Sequence, residues 1–123
     1  MGRYFSHERV GMGDYVQAVI TMTNLTPSTT GALEVNLPVP AVLEPLLGIL
    51  DEMKKKHELL EYTVENGEMY LQLPGLLPNE RRRITVPFLA TIPGKVSTGS
   101  CSISLLHQPE IRDCQGPSVI EVR

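Results

Sequence analysis

Prolines and glycines cut this chain into short pieces. Ten of each are spread over 123 residues. Each interrupts a helix interior and marks a turn, so the chain favours many short strands over long helices. Between the interruptions, apolar and polar residues alternate. In Tyr15–Thr23, Val16, Ala18, Ile20 and Met22 fall on one face, the pattern of a half-buried strand. Asn24-Leu25-Thr26-Pro27-Ser28 supplies a turn. Leu33, Val35 and Leu37 then share a face before Pro38 and Pro40 end the run. Tyr62–Glu65 and Met69–Leu73 flank Asn66-Gly67, a strong hairpin signal. Arg83–Ala90 places Ile84, Val86, Phe88 and Ala90 in phase, with Pro87 on the opposite face, where it predicts an edge or a bulge. Ser100–Leu106, with Cys101, Ile103 and Leu105 in phase, and Val119–Val122 complete the strands.

One segment has a different period. Leu43, Leu46, Leu47, Leu50, Met53 and His57 recur every three or four residues, which predicts a helix over Pro45–Glu58. Pro45 suits a first helical turn. Leu43, Leu46, Leu47, Leu50 and Met53 form the stripe expected to anchor it. With no βαβ alternation, the economical architecture is mainly β: an antiparallel, immunoglobulin-like β-sandwich of roughly seven to nine strands. The helix near residues 45–58 would lie over a sheet edge or an opening between strands. Residues 1–123 read as a single domain, within the usual range of about 100–150 residues.

Composition narrows the function by exclusion. Eleven Lys and Arg against fourteen Asp and Glu give a net charge of −3, which argues against a broad nucleic-acid surface. No apolar run approaches the ~20 residues of a membrane helix, and no secretory leader opens the sequence. Met1-Gly2-Arg3-Tyr4-Phe5-Ser6 does fit the short myristoylation pattern. His7, His57 and His107 lie in unrelated contexts, and no HExxH pair, G-x-S-x-G elbow or phosphate loop is present. Spacing neither supports nor forbids a dyad of Cys101 or Cys114 with His107. The reading is a non-enzyme without cofactor or metal.

Three features remain. Cys101 and Cys114 have neither CxxC nor zinc spacing; a disulfide in an oxidising compartment and two buried thiols both stay open. Lys54, Lys55 and Lys56 are the candidate partner-binding run. The competing reading is a solvated face on which Asp51–Lys55 and Glu52–Lys56 pair at i,i+4. Lys54, at the margin of the apolar stripe, would run along the sheet edge. Arg81-Arg82-Arg83, split over two faces of a strand, reads as a guard against strand pairing. Asn24-Leu25-Thr26 matches a glycosylation sequon at a turn.

The order of elements from Leu37 to Pro109 resembles the C-terminal, receptor-binding domain of the α2-macroglobulin family. The match runs through Leu37-Pro38-Val39-Pro40, the amphipathic Leu43–Asp51, the Tyr62–Leu73 hairpin, and Arg83–Thr91 with Ile92-Pro93-Gly94-Lys95. It ends in Ile103–Glu110, where the family has a strand and an acidic segment. Gly13-Asp14-Tyr15-Val16 is more similar to bacterial members. The resemblance implies a β-sandwich with one helix, cut from a larger extracellular or periplasmic protease inhibitor. Its expected work is docking on the thioester domain of its own chain, or on proteases or a surface receptor. A generic immunoglobulin-like adhesion or scaffold domain is the alternative. Animal members bind a clearance receptor through two helix lysines; those positions are Glu44 and Gly48 here. The family's tyrosine cluster is replaced by Leu105-Leu106-His107-Gln108.

Overall fold

A computed structural model describes residues 2–123, with the side chains of 109–111 excepted. The myristoylation pattern begins at Met1, outside the described residues. The elements are β1 (Gly2–Phe5), β2 (Arg9–Val10), β3 (Tyr15–Thr23), β4 (Leu33–Pro38), β5 (Leu43–Pro45), α1 (Leu47–Lys55), β6 (Glu61–Glu65), β7 (Glu68–Leu73), β8 (Arg81–Ala90), β9 (Gly94–Ser97), β10 (Cys101–Leu105), β11 (Gln108–Gln115) and β12 (Val119–Val122).

Two antiparallel sheets form the sandwich, in the orders β1-β3-β8-β5 and β11-β10-β4-β7-β6. The alternation in the sequence sets their inner faces. Val16, Ala18, Ile20, Met22, Ile84, Val86 and Phe88 from the first sheet are buried with Leu33, Val35, Leu37, Met69, Leu71, Leu73, Cys101 and Ile103 from the second. The longest ladder is β3 with β8, in continuous register from Tyr15↔Leu89 to Thr23↔Arg81. The β6–β7 hairpin closes at Asn66-Gly67, with Glu65 opposite Glu68 and both turn residues at positive φ (51° and 76°). That backbone is the two-residue turn whose twist matches the flanking strands.

The strand count exceeds the expectation because a third sheet is present, in the order β2-β12-β9. Its β2–β12 pair is parallel, a departure from an all-antiparallel molecule. Of its members only β12, Val119–Val122, is legible in the sequence, β2 and β9 being too short or too weakly patterned; Val10, Ile120 and Val122 join the common core.

The helix is shorter than its apolar periodicity predicts. Leu43–Pro45 is instead strand β5, paired to Phe88–Ala90, and the chain becomes helical only at Leu47. Sheet pairing overrides local pattern here, because Leu43 is buried equally well from a strand. Leu50 and Met53 alone of α1 are buried, whereas Leu47 and Ile49 are 45% and 47% exposed. The expected anchoring by Leu47 is therefore corrected. Helix α1 links β5, the edge of one sheet, to β6, the edge of the other, and so covers that open flank of the sandwich.

The opposite flank is spanned by an arginine. Arg3, on β1, is buried, and its Nη2 donates to Thr98 Oγ1 at 3.0 Å, the Gly99 carbonyl at 2.9 Å and the Gly116 carbonyl at 3.0 Å. It thus ties the first sheet to the loops bounding β10 and β11. The guanidinium also lies 5.8 Å from the Phe5 ring centroid.

These contacts set expectations for stability. By chemical denaturation, Leu50→Ala should cost about 2–5 kcal/mol through transfer and cavity terms. Leu47→Ala should stay within about 0.5 kcal/mol, as surface substitutions do.

Candidate functional site

The lysine run sits at the C-terminal end of α1, and the neighbouring strand decides its pairing. β6 brings Glu61 beside the helix, where Lys54 Nζ donates to both carboxylate oxygens at 3.0 Å. That bond, first among the causes, holds the Glu61 carboxyl below its ordinary pKa. Tyr62 Oη donates to Asp51, which pushes the phenol's pKa up. Asp51 is thereby taken from Lys55, and Lys55 pairs with Glu52 at i,i+3 instead, at 3.6 Å. The i,i+4 ladder is replaced by bonds to an adjacent strand, which helix spacing alone does not reveal. Lys54 does lie along the sheet edge. Lys56 makes no ion pair among the described residues and lines the groove beside the helix.

That groove is the depression that Lys56 borders. It encloses about 830 Å³ between α1 (Ile49, Glu52, Met53) and β8 (Arg83, Ile84, Thr85, Pro87). A second, apolar depression of about 860 Å³ continues it over Tyr15, Leu47 and Leu89, sharing Gln17, Ile49 and Pro87. Tyr15 is 68% exposed. The two form one trough along the helix.

The trough follows an open strand edge. β5 covers β8 only over Phe88–Ala90 and then turns into α1, with the Leu46 N–H donating to the Pro87 carbonyl at 3.1 Å. Alternation points the N–H and C=O groups of Thr85 and Arg83 to that same side, away from β3. Neither residue's backbone has a hydrogen-bond partner there among the described residues. The expectation of an edge strand or a bulge at Pro87 is corrected: β8 is an inner strand in unbroken register with β3, and Pro87, whose nitrogen has no hydrogen to donate, sits where β5 has just ended.

The arginine triplet divides as its alternation predicts. Arg81 and Arg83 are exposed on the outer face and make no ion pair among the described residues. Arg82 turns inward and binds the carbonyls of Pro74 and Gly75, together with Glu80. Hydrogen bonds from the Leu77 N–H and from Arg82 keep the Glu80 carboxyl below its ordinary pKa. Gly75 is required there, since a Cβ would meet the Thr30 carbonyl oxygen at 2.2 Å.

Asn24 has a structural duty that the sequon pattern hides. It is buried; its Nδ2 donates to the carbonyls of Ser28 at 2.8 Å and Leu77 at 3.0 Å, and its Oδ1 accepts from Thr26 N and Oγ1. The amide is committed to joining two loops and is closed to a glycan. The signal in the sequence was the Asn-x-Thr turn itself, which serves an Asx turn as readily as a sequon.

Both cysteines are free. Cys101 faces the core, and Cys114, opposite Ser102, projects from the other face of the sheet and is exposed. Burial pushes the Cys101 thiol up to about 11, the reverse of an activated nucleophile. Among the described residues, no three His, Cys, Asp or Glu side chains are grouped to hold a metal ion.

No family model and no curated protein matches the sequence. Solved structures do. An Escherichia coli α2-macroglobulin fragment running from domain MG7 to the C-terminus aligns over 99% of this chain, with a TM-score of 0.75 and 11% identity. The fold is that of a bacterial α2-macroglobulin domain. The native E. coli protein aligns over 99% at a TM-score of 0.73 and 14% identity, and a Salmonella α2-macroglobulin mutant over 92% at 0.68 and 13%. The chain spans 23%, 9% and 8% of those three. The macroglobulin-type match lies in the C-terminal region of the fragment's parent protein.

Three outcomes follow. Asn24→Ala should cost about 1–3 kcal/mol by denaturation, for it strands buried carbonyls and the Thr26 donor. Native protein at pH 8 should give one fast thiol with a disulfide reagent, Cys114, and a second only on unfolding. Because the folded pKa of Cys101 is raised, its contribution to stability is full below the ordinary thiol pKa. It is lost as pH rises toward about 11, a decline that Cys101→Ala should lack.

Proposed function

We propose that this chain is a non-catalytic, macroglobulin-type domain of a larger α2-macroglobulin-like protease inhibitor, working outside the cytoplasm in the extracellular or periplasmic space. Its task is docking, first on the thioester domain of its own chain, with proteases or a surface receptor as further partners. The observation that carries the reading is the alignment of nearly the whole chain with the C-terminal region of bacterial α2-macroglobulins. Over a generic immunoglobulin-like adhesion domain, this reading is favoured by the 99% coverage of the chain in that alignment.

The residues that mediate docking are part of the proposal. Lys54, Lys55 and Lys56 form its basic margin, with Lys56 turned to the trough. Receptor capture by the animal route is disfavoured by Glu44 and Gly48 at the corresponding positions.

The test uses the complete coding sequence and its product. A thioester motif upstream of residue 1 is expected. The purified full protein should retain a bound protease that still cleaves small chromogenic substrates and loses activity on large proteins. A complete gene without a thioester or inhibitor domains, or a protein that leaves proteases fully active on large substrates, would refute the reading.

A further inference from the structure

We propose that the uncovered edge of β8 accepts an added strand: an extended polypeptide segment in which carboxylates alternate with apolar side chains. This deepens the docking reading and rests on it for the source of the strand.

Three independent features converge on this edge. The first is unpaired backbone. Thr85 and Arg83 present N–H and C=O groups away from β3, and β5 stops before reaching them. An edge of this kind is a ready template for pairing with another chain, and proteins that leave one open commonly use it for peptide recognition. The second is room. The neighbouring space is not filled by α1 but is a groove of about 830 Å³ with the helix as its far wall. A strand needs about 5 Å of lateral spacing from its partner.

The third is chemistry that selects the occupant. On the outer face, the side chains at the edge are Arg81, Arg83 and Thr85, while Lys56 stands on the helix side of the groove. Arg81, Arg83 and Lys56 have no carboxylate partner among the described residues. A strand's side chains alternate between faces. Residues of the added strand on the outer face would therefore meet two arginines, and a carboxylate there gains charge-assisted bonds. On the helix side the groove is lined by Ile49, Met53 and Ile84 together with Glu52 and Glu58, which accept apolar groups there and repel a carboxylate. A basic strand is repelled, so the arginines guard the edge against indiscriminate pairing and admit a complementary one.

Pro87 and the Leu46–Pro87 bond terminate the site at one end, and Pro74 with Arg82 bounds the other. Over Arg81–Thr85 the edge spans roughly 13–16 Å, at about 3.3 Å per residue. Its occupant is then about five residues long.

The experiment titrates the chain with a capped Val-Glu-Val-Glu-Val peptide and a Val-Lys-Val-Lys-Val control, following amide exchange by NMR. The glutamate peptide should slow exchange of the Thr85 and Arg83 amides specifically, and the lysine peptide should not. Arg83→Glu should weaken the glutamate peptide about tenfold and admit the lysine peptide. Thr85→Pro should weaken binding similarly, since it removes an edge donor that no native bond uses. Should that variant fail to fold, the wild-type amide map and Arg83→Glu still decide. No protection of these amides at millimolar glutamate peptide would overturn the proposal, as would equal protection by both peptides or indifference to Arg83→Glu. Failure here with intact protease trapping removes the strand site alone; loss of trapping with intact peptide binding removes the inhibitor reading alone.

Discussion

Two sheets laid face to face bury their inner sides but leave two flanks open to water, and closing those flanks is the constraint on which this fold depends. The chain closes them by different means. On the β5–β6 side a short helix drops Leu50 and Met53 into the gap. On the β1–β11 side the Arg3 guanidinium reaches across to Thr98, Gly99 and Gly116. The first is a hydrophobic seal, worth about 1.5–3 kcal/mol for each fully buried large side chain. The second is a polar latch whose bonds must be kept, because a buried guanidinium without them would be costly. Burial already lowers the Arg3 pKa from its ordinary value.

The hydrophobic seal leaves something over. A nine-residue helix with two buried positions presents Leu47 and Ile49 outward. Because β5 ends as soon as it has delivered the chain to α1, β8 remains uncovered from Thr85 downward. The device that closes the flank therefore also creates the trough, its apolar end at Tyr15 and Leu89 and its basic end at Lys56 and Arg83. The docking proposed for this domain would use that surface.

What the sequence revealed depended on whether burial left a periodic trace. β3 and β8 are long, paired along their length and buried on one face, so their alternation was legible residue by residue. The Asn66-Gly67 turn was legible because few residues tolerate positive φ at both positions. β1 and β9 were not, for four residues carry little pattern, and β1 turns an arginine inward where an apolar residue is expected. β11 is a polar edge strand containing Pro109, with no alternating signal. In Leu43–Pro45 the helical period misleads, because pairing to β8 outweighs local preference. The candidate site was only partly legible: Lys54–Lys56 stand out in the sequence beside the trough, but the open edge exists through the length of β5, which no residue pattern encodes. Arg3 and the Asn24–Leu77 bond were hidden for a similar reason, as their partners are distant in sequence.

The flank account is tested most directly by native-state hydrogen exchange on Arg3→Met, which keeps the bulk and removes the polar latch. Amides of β1 and the Thr98 amide, which bonds the Ser118 carbonyl at 2.8 Å, should lose protection together while β4 and β7 keep theirs. Unchanged protection at β1 and Thr98 would contradict it.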